Sequence, residues 1–365
     1  MWNVATRTCL YQIQAHDTMC KGIGVTHTST PYMVTCSSDH SAKLWPFDVT
    51  LEERGRTGVV TAPARTFTFS EALTSLSCRR GAGEFCTGSV GGLQLWSLER
   101  GEAVRTWETA TDGILSVQFS PTETQLIAAT GGDLSVSFYD IRGTEECARL
   151  TGVRRFNQVA WNPMQPYYFV ACSDDWNVYS YDFRSLRTEL LTYGGHLGPV
   201  LSVDYSPTGR EFCTGSYDKT VRIFKSTSPF SRDCYHTQRM QKVYSVLFSG
   251  DAHYLFSASD EGNVRVWKAF ASKTTKIVDR REEQRLNYAE ALKKKFKHMP
   301  EIRRIRTHQH LPKELMFVKN TRRVMKESEK RKEANRAKHQ KREPRSTTHI
   351  TPLEVENAPM LSDDE

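Results

Sequence analysis

The stretch YSPTGREFCTGSYDKTVRIF, residues 205–224, sets two short apolar runs between punctuating residues. Ser206-Pro207-Thr208-Gly209 is one tight turn and Tyr217-Asp218-Lys219 another. Beyond it Val221 and Ile223 alternate with Thr220 and Arg222 up to the closing Phe224. Period-two alternation bounded by turn residues reads as antiparallel strands joined in a hairpin. The pattern returns along the chain, because HSAKLW, GGLQLW, LSVSFYD, WNVYSYD and GNVRVW align with KTVRIF. The aromatics that close these segments are Trp45, Trp96, Tyr139, Tyr181, Phe224 and Trp267, at spacings of 51, 43, 42, 43 and 43 residues. Trp2 stands 43 residues before Trp45, so the chain opens on the closing part of an earlier unit.

Two further landmarks keep this period. Six positions before the aromatics stand Asp39, Val90, Asp133, Asp175, Asp218 and Glu261. FSPT, WNPM, YSPTG and FSGD begin at Phe119, Trp161, Tyr205 and Phe248, 19 or 20 residues ahead of the closing aromatics. A repeat of this length, with four short strands, is one small antiparallel sheet. Such a sheet needs a neighbour on each face, so the units stack radially into an all-β propeller. The wider spacing between Trp45 and Trp96 places the extra residues in a surface loop, DVTLEERGRTGVVTAPAR, residues 48–65.

Composition divides the chain in two. Between Lys273 and Arg345 there are 25 Lys plus Arg against 10 Asp plus Glu, a net +15, which leaves −7 for the rest of a chain whose total is +8. Two segments with different tasks are implied. The nine cysteines form no CxxC pair, and Cys36, Cys86, Cys172 and Cys213 sit inside strand-like runs, as reduced buried thiols do. No run of 18 apolar residues occurs and the start MWNVATRTCL has no signal-peptide core, so the expectation is a soluble intracellular chain without a membrane partner.

After residue 271 the period changes from strand to helix. DRREEQRLNYAEALKKKFKHMP spaces Leu286, Ala289, Leu292 and Phe296 along one narrow stripe of a helix that ends at Pro300. EIRRIRTHQHLPKEL follows, with Ile302 and Ile305 among Arg303, Arg304 and Arg306, and Leu311-Pro312 breaks that helix and opens the next. The last helix starts on apolar Leu315, Phe317, Val318 and Met325. It runs into RRVMKESEKRKEANRAKHQKR, residues 322–342, where ten of 21 positions are Lys or Arg. A helix polar on nearly every side has no stripe with which to dock on its own core. Clustered cations on long helices attract phosphate, and few aromatics follow Phe317 for base stacking.

The repeat resembles the WD-repeat family, whose complete rings have seven blades; here six full blades follow a partial one. In that family a buried His, Ser or Thr, Asp and Trp form one hydrogen-bonded set per blade. The resemblance assigns His16, Thr35, Asp39 and Trp45 to one set, and His196, Thr214 and Asp218 to a second in which Phe224 replaces Trp. The tail, through LNYAEALKKKFKHMPEIRRIRTHQHLPKEL and RRVMKESEKRKEANRAKH, is similar to the carboxy-terminal domain of the suppressor-of-fibrillarin family, as are WNPM and DYSPTGREF in the ring. That resemblance implies a non-catalytic, cofactor-free nucleolar factor of the small-subunit processome, needed for 18S ribosomal RNA maturation. Its partners would be processome proteins, the U3 small nucleolar ribonucleoprotein and precursor ribosomal RNA.

The organisation expected is 1–16 for the end of the incomplete blade, 17–271 for six blades, 272–345 for the basic helical domain and 346–365 for a disordered acidic tail. RNA-contact candidates are Lys293, Lys294, Lys295, Arg303, Arg304, Arg306, Lys313, Arg322, Arg323, Lys330, Arg331, Lys332, Arg336 and Lys338. Two repeats end in Tyr-Asp-x-Arg, at residues 139–142 and 181–184, and resemble the box by which some WD-repeat proteins engage a cullin-RING ubiquitin ligase adaptor, through Arg142 and Arg184 here. Catalysis has little support, since no phosphate loop, nucleophile elbow or paired carboxylate is present. His308 and His310 offer a metal two ligands without a third, so no metal site is expected.

Overall fold

The computed structural model describes residues 2–3, 8–9, 11–26, 31–46, 58–59, 63–109, 112–271, 279–308 and 310–339. Short strands come first: β1 (Trp2–Asn3) pairs with β2 (Thr8–Cys9), and β3 (Tyr11–Gln12) pairs in parallel with β7 (Gly58–Val59). Blade 1 is β4 (Cys20–Val25), β5 (Tyr32–Ser37), β6 (Ser41–Pro46) and β8 (Arg65–Thr68). Blade 2 is β9 (Leu73–Cys78), β10 (Glu84–Ser89), β11 (Gly92–Ser97) and β12 (Ala103–Glu108). Blade 3 is β13 (Ile114–Phe119), β14 (Leu126–Gly131), β15 (Ser135–Asp140) and β16 (Glu146–Thr151). Blade 4 is β17 (Phe156–Trp161), β18 (Tyr168–Ser173), β19 (Val178–Asp182) and β20 (Leu191–Tyr193). Blade 5 is β21 (Val200–Tyr205), β22 (Glu211–Ser216), β23 (Val221–Lys225) and β24 (Ser231–Tyr235). Blade 6 contributes three described strands, β25 (Val243–Phe248), β26 (Tyr254–Ser259) and β27 (Val264–Lys268). Among the described residues the chain forms six blades of an all-β propeller, followed in sequence by helices.

Alternation along each strand sends successive side chains to opposite neighbours. In blade 5, Phe212 and Phe224 pack with Val170, Tyr193 and Val203, in the core between blades 4 and 5. Cys213 and Ile223, one residue along, pack with Val243, Val246 and Leu255, between blades 5 and 6. The other cores likewise join consecutive blades, and among the described residues none joins blade 6 to blade 1. Val264 and Val266 of blade 6 are 67% and 48% exposed, whereas Val221 and Ile223 at the same positions of blade 5 are fully buried. Ile23 and Val25 of blade 1 are also exposed.

The acidic landmark has a local cause. The residue after it lies in the left-handed region at His40, Leu134, Trp176 and Lys219, with φ from 61° to 74°. The carboxylate accepts the backbone N–H of the next residue, from Ser41 to Asp39 at 3.1 Å, Asn177 to Asp175 at 3.0 Å and Thr220 to Asp218 at 3.0 Å. That Asx-type bond offsets the unfavourable backbone of the turn. Blade 2 has Val90 there, and its hairpin is built on Gly91-Gly92, with the Gly92 N–H donating to Ser89 Oγ at 3.2 Å.

Inner strands are also stitched across blades. The N–H of Phe119 donates to Ser77 Oγ at 3.0 Å, that of Val203 to Gln158 Oε1 at 3.1 Å and that of Phe248 to Asp204 Oδ2 at 2.7 Å. Between blades 1 and 2 the backbones come closer instead. A Cβ at Gly24 would stand 2.5 Å from Cys78 Sγ, and one at Gly22 would stand 2.9 Å from Leu76 Cβ.

The assigned sets sit in these walls. In blade 1 the Trp45 indole N–H donates to Thr35 Oγ1 at 3.1 Å, the Thr35 hydroxyl to His16 Nε2 at 2.8 Å and His16 Nδ1–H to Asp39 at 2.8 Å. In blade 5 the buried His196 joins Thr214 at 2.7 Å and Asp218 at 3.0 Å, and Phe224 leaves Thr214 without the indole donor. Burial pushes the Asp218 carboxyl up, but the His196 ring and the Thr220 hydroxyl outweigh it and hold the carboxyl well below the carboxylate range. Burial also lowers His196, against the pull of Asp218. Cys36, Cys86, Cys172 and Cys213 are free, buried thiols. Burial pushes Cys36 and Cys172 up to about 12.

Asp218→Ala strands the His196, Leu197 and Thr220 donors in the interior. It should destabilise the ring by about 3–5 kcal/mol, measured as the shift of a urea unfolding curve. Asp204 gives an opposite pH dependence. Burial raises it to about 6 from 3.8, against the Phe248 and Tyr205 N–H groups, which donate to the carboxylate and favour its charged form. A raised carboxyl gives stability that is full below the unfolded value and is lost as pH climbs through the folded one. Relative to Asp204→Asn, the parent chain should therefore lose stability between about pH 4 and pH 6. Equal slopes for both chains across that window would refute the assignment.

Candidate nucleic-acid interface

The helices follow from their ends. α1 (Arg280–Lys295) has Glu282 and Glu283 in its first turn and Lys293, Lys294 and Lys295 in its last, which suits the helix dipole. It ends five positions before the expected stop at Pro300, where the Phe296 N–H donates to the Leu292 carbonyl at 3.0 Å. Pro300 instead opens α2 (Pro300–Thr307), where its missing N–H costs nothing. α3 (Lys313–His339) begins directly after Pro312 and is helical over 27 residues. Residues through Leu315 belong to one compact unit with the ring, and those from Met316 form a second.

Lys293, Lys294 and Lys295 are exposed at the end of α1, as are Arg303 and Arg304 on α2; Arg306 lies in the same helix. Lys313 opens α3. Arg323, Lys330, Arg331, Lys332, Arg336 and Lys338 are exposed along it, and Arg322 is half-buried, its guanidinium lowered by that burial. Arg323 meets Glu327 one turn on at 3.6 Å, a solvated pair. No residue of α3 is buried. The described helix is about 40 Å long at 1.5 Å per residue, and after Met325 it carries almost only polar side chains. Residues 340–342 of the basic run, and the acidic end at 346–365, lie outside the described residues.

The linker before α3 belongs to the ring's unit. Leu311 is buried, and the His310 carbonyl accepts from His236 Nε2 at 3.0 Å, with the two rings stacked at 5.4 Å. His310 is thus engaged with the connection between blades 5 and 6. His308 is exposed, and among the described residues no three His, Cys, Asp or Glu side chains converge as metal ligands.

The two Tyr-Asp-x-Arg boxes occupy equivalent turns of blades 3 and 4, between the third and fourth strands. In each, the Arg N–H donates to the Asp Oδ1, at 2.9 Å for Arg142 and Asp140 and 3.0 Å for Arg184 and Asp182. The side chains differ. Arg184 grips Asp182 through Nε and Nη2 at 3.1 and 2.8 Å and lies over the Tyr167 ring at 5.0 Å. Its hydrogen bonds hold the Asp182 carboxyl below the ordinary value. Arg142 is exposed without such a clamp among the described residues, and Gln125 stands where blade 4 has Tyr167. The role of Tyr167 was invisible in sequence, since the two turns of a blade meet only once its strands have paired.

Known proteins match this chain along most of its length. The Sof1-like domain matches residues 269–350, and the WD domain, G-beta repeat, matches residues 7–46, 101–140, 187–225 and 232–268. Protein SOF1 of Saccharomyces cerevisiae is 36% identical over 356 residues, covering 93% of this chain and 73% of that protein. DDB1- and CUL4-associated factor 13 is 37% identical in Danio rerio over 342 residues and 36% identical in Homo sapiens over 341, each covering 93% of this chain and 75% of the relative. With a WD-repeat ring, a basic helical extension matching the Sof1-like domain and this identity over nearly its whole length, the chain belongs to the Sof1-like family of WD-repeat proteins.

Proposed function

We propose that this chain is a non-catalytic ribosome biogenesis factor of the nucleolus. It works in the small-subunit processome with the U3 small nucleolar ribonucleoprotein, on the precursor of 18S ribosomal RNA. The observation that carries this reading is α3, a 27-residue helix with no buried residue and cations along its second half. Family membership supplies the context. A helix of this kind suits phosphates along an RNA groove rim better than bases. Double-helical RNA has a deep, narrow major groove that side chains cannot read, and contact with backbone and shape follows. The ring serves as the protein-binding scaffold.

Binding to a structured precursor ribosomal RNA fragment across a salt series tests this. The comparison is between the parent chain and one carrying Lys330→Gln, Arg331→Gln, Lys332→Gln, Arg336→Gln and Lys338→Gln. These side chains are exposed, so circular dichroism should stay the same. The slope of log affinity against log salt should fall by about 2–4, since each phosphate contact contributes a little under one. An unchanged slope would move α3 from RNA to protein docking.

A second reading is supported by the clamped geometry of Arg184 and by the name of the vertebrate relatives: a substrate receptor for a cullin-RING ligase, bound to DDB1 through the two boxes. Arg184 is held in place before binding, which reduces the ordering cost that a free arginine would incur. In a pull-down with purified DDB1, Arg184→Ala should lower capture more than Arg142→Ala. Undiminished capture by the double variant would remove this reading.

A further inference from the structure

We propose that the carboxy-terminal end of α1 together with α2 is a docking face for an acidic amphipathic helix of a partner protein. This use is separate from RNA binding by α3 and holds whether or not α3 binds RNA. α1 carries an apolar stripe, yet none of its 16 residues is buried. Leu292 and Phe296 remain 37% and 38% exposed. A turn follows α1, with the Met299 N–H donating to the Phe296 carbonyl at 3.1 Å, and Leu292, Lys293, Phe296 and Ile302 line a shallow concavity of about 370 Å3. An unburied apolar stripe that ends in a concavity suits an apolar partner.

The chemistry of the partner follows from the rim. Lys293, Lys294, Lys295 and Lys297 occupy four of five consecutive positions around Phe296, and the Lys295 ammonium lies 5.6 Å from the Phe296 ring centre. Three of these lysines are RNA-contact candidates by charge alone. Leu292, Phe296 and Ile302 suit the apolar stripe of a helix, and Lys293, which lines the same concavity, suits a carboxylate beside it. The stripe from Leu286 to Phe296 is about 15 Å long, which accommodates anchors spaced i, i+4 and i+7 along roughly three turns. Carboxylates flanking those anchors would meet the lysine rim. A basic or neutral helix with the same anchors would not.

Fluorescence anisotropy with the full chain tests this. The probes are a labelled peptide of about 18 residues with Leu and Phe anchors flanked by Glu, the same anchors flanked by Lys, the Glu peptide with Ser anchors, and an RNA hairpin. The Glu peptide with apolar anchors should bind at least about tenfold more tightly than either other peptide, a difference that each class of contact can supply. Phe296→Ser should weaken it about tenfold while leaving the circular dichroism and the hairpin affinity unchanged. Reversing Lys293, Lys294 and Lys295 to Glu, which leaves the apolar floor intact, should move the preference to the Lys-flanked peptide. Equal binding of all peptides, no binding, or Phe296→Ser costing hairpin affinity but not peptide affinity would each overturn the proposal, the last in favour of an RNA site.

Discussion

A four-stranded sheet with apolar residues on both faces cannot stand alone in water, and that constraint governs the ring. Phe212 and Cys213 are neighbours in sequence, yet their side chains belong to cores on opposite sides of blade 5. Each blade therefore supplies half of two cores, and its burial depends on its neighbours. This explains why the middle strands of blades 2 to 5 read as near-continuous runs of buried residues. Where the row of blades ends the dependence is visible, because Val264 and Val266 are exposed at positions that are fully buried one blade earlier. Their chemistry is the same. Only the neighbour differs.

Apolar stacking alone would let blades slide, and the polar contacts fix their register. Asp39 and Asp218 each act twice, closing the hairpin turn with one oxygen and holding a histidine with the other. In blade 1 the donors run in one direction, from Trp45 to Thr35 to His16 to Asp39, so that the tautomer of the ring is set by its neighbours. Blade 2 shows the alternative. Val90 takes the acid's place, the Trp96 ring packs 4.7 Å from Phe69, and Thr87 and the Trp96 indole have no hydrogen-bond partner among the described residues. Aromatic packing there substitutes for the polar set.

The repeat period was legible because it depends on local patterns: alternation, a turn residue and an aromatic at fixed spacing. The helices were legible for similar reasons, with Pro300 and Pro312 marking starts. α1 nevertheless stops at Lys295, short of Pro300, because a proline that opens the next helix does not set where the previous one ends. Contacts between distant segments could not be read. Ser77, Gln158 and Asp204 are unremarkable in sequence, and their role as acceptors for the next blade's backbone appears only when inner strands pack side by side. The clamp on Arg184 and the stacking of His236 on His310 are non-local in the same way, with 74 residues separating the two histidines. The left-handed turn explains why an acid recurs at a position that the sequence marks only as a correlation.

The basic helix follows a different logic from the ring. With 27 residues of mostly strong helix formers it exceeds the roughly 12–15 at which isolated helices become marginal. It can therefore hold its shape without burying anything. Its own charges oppose that shape, since Arg322, Lys326 and Lys330 follow one another at four-residue spacing, as do Lys332 and Arg336. Such like-charge pairs cost an exposed helix about 0.2–0.5 kcal/mol each. A phosphate between two such cations converts repulsion into attraction, so polyanion binding and helix stability are linked. The apolar start, with Phe317 73% exposed and Val318 and Met325 also in solvent, gains nothing from phosphate. One end of the helix is thus suited to an apolar surface and the other to a polyanion, so no single kind of surface satisfies both.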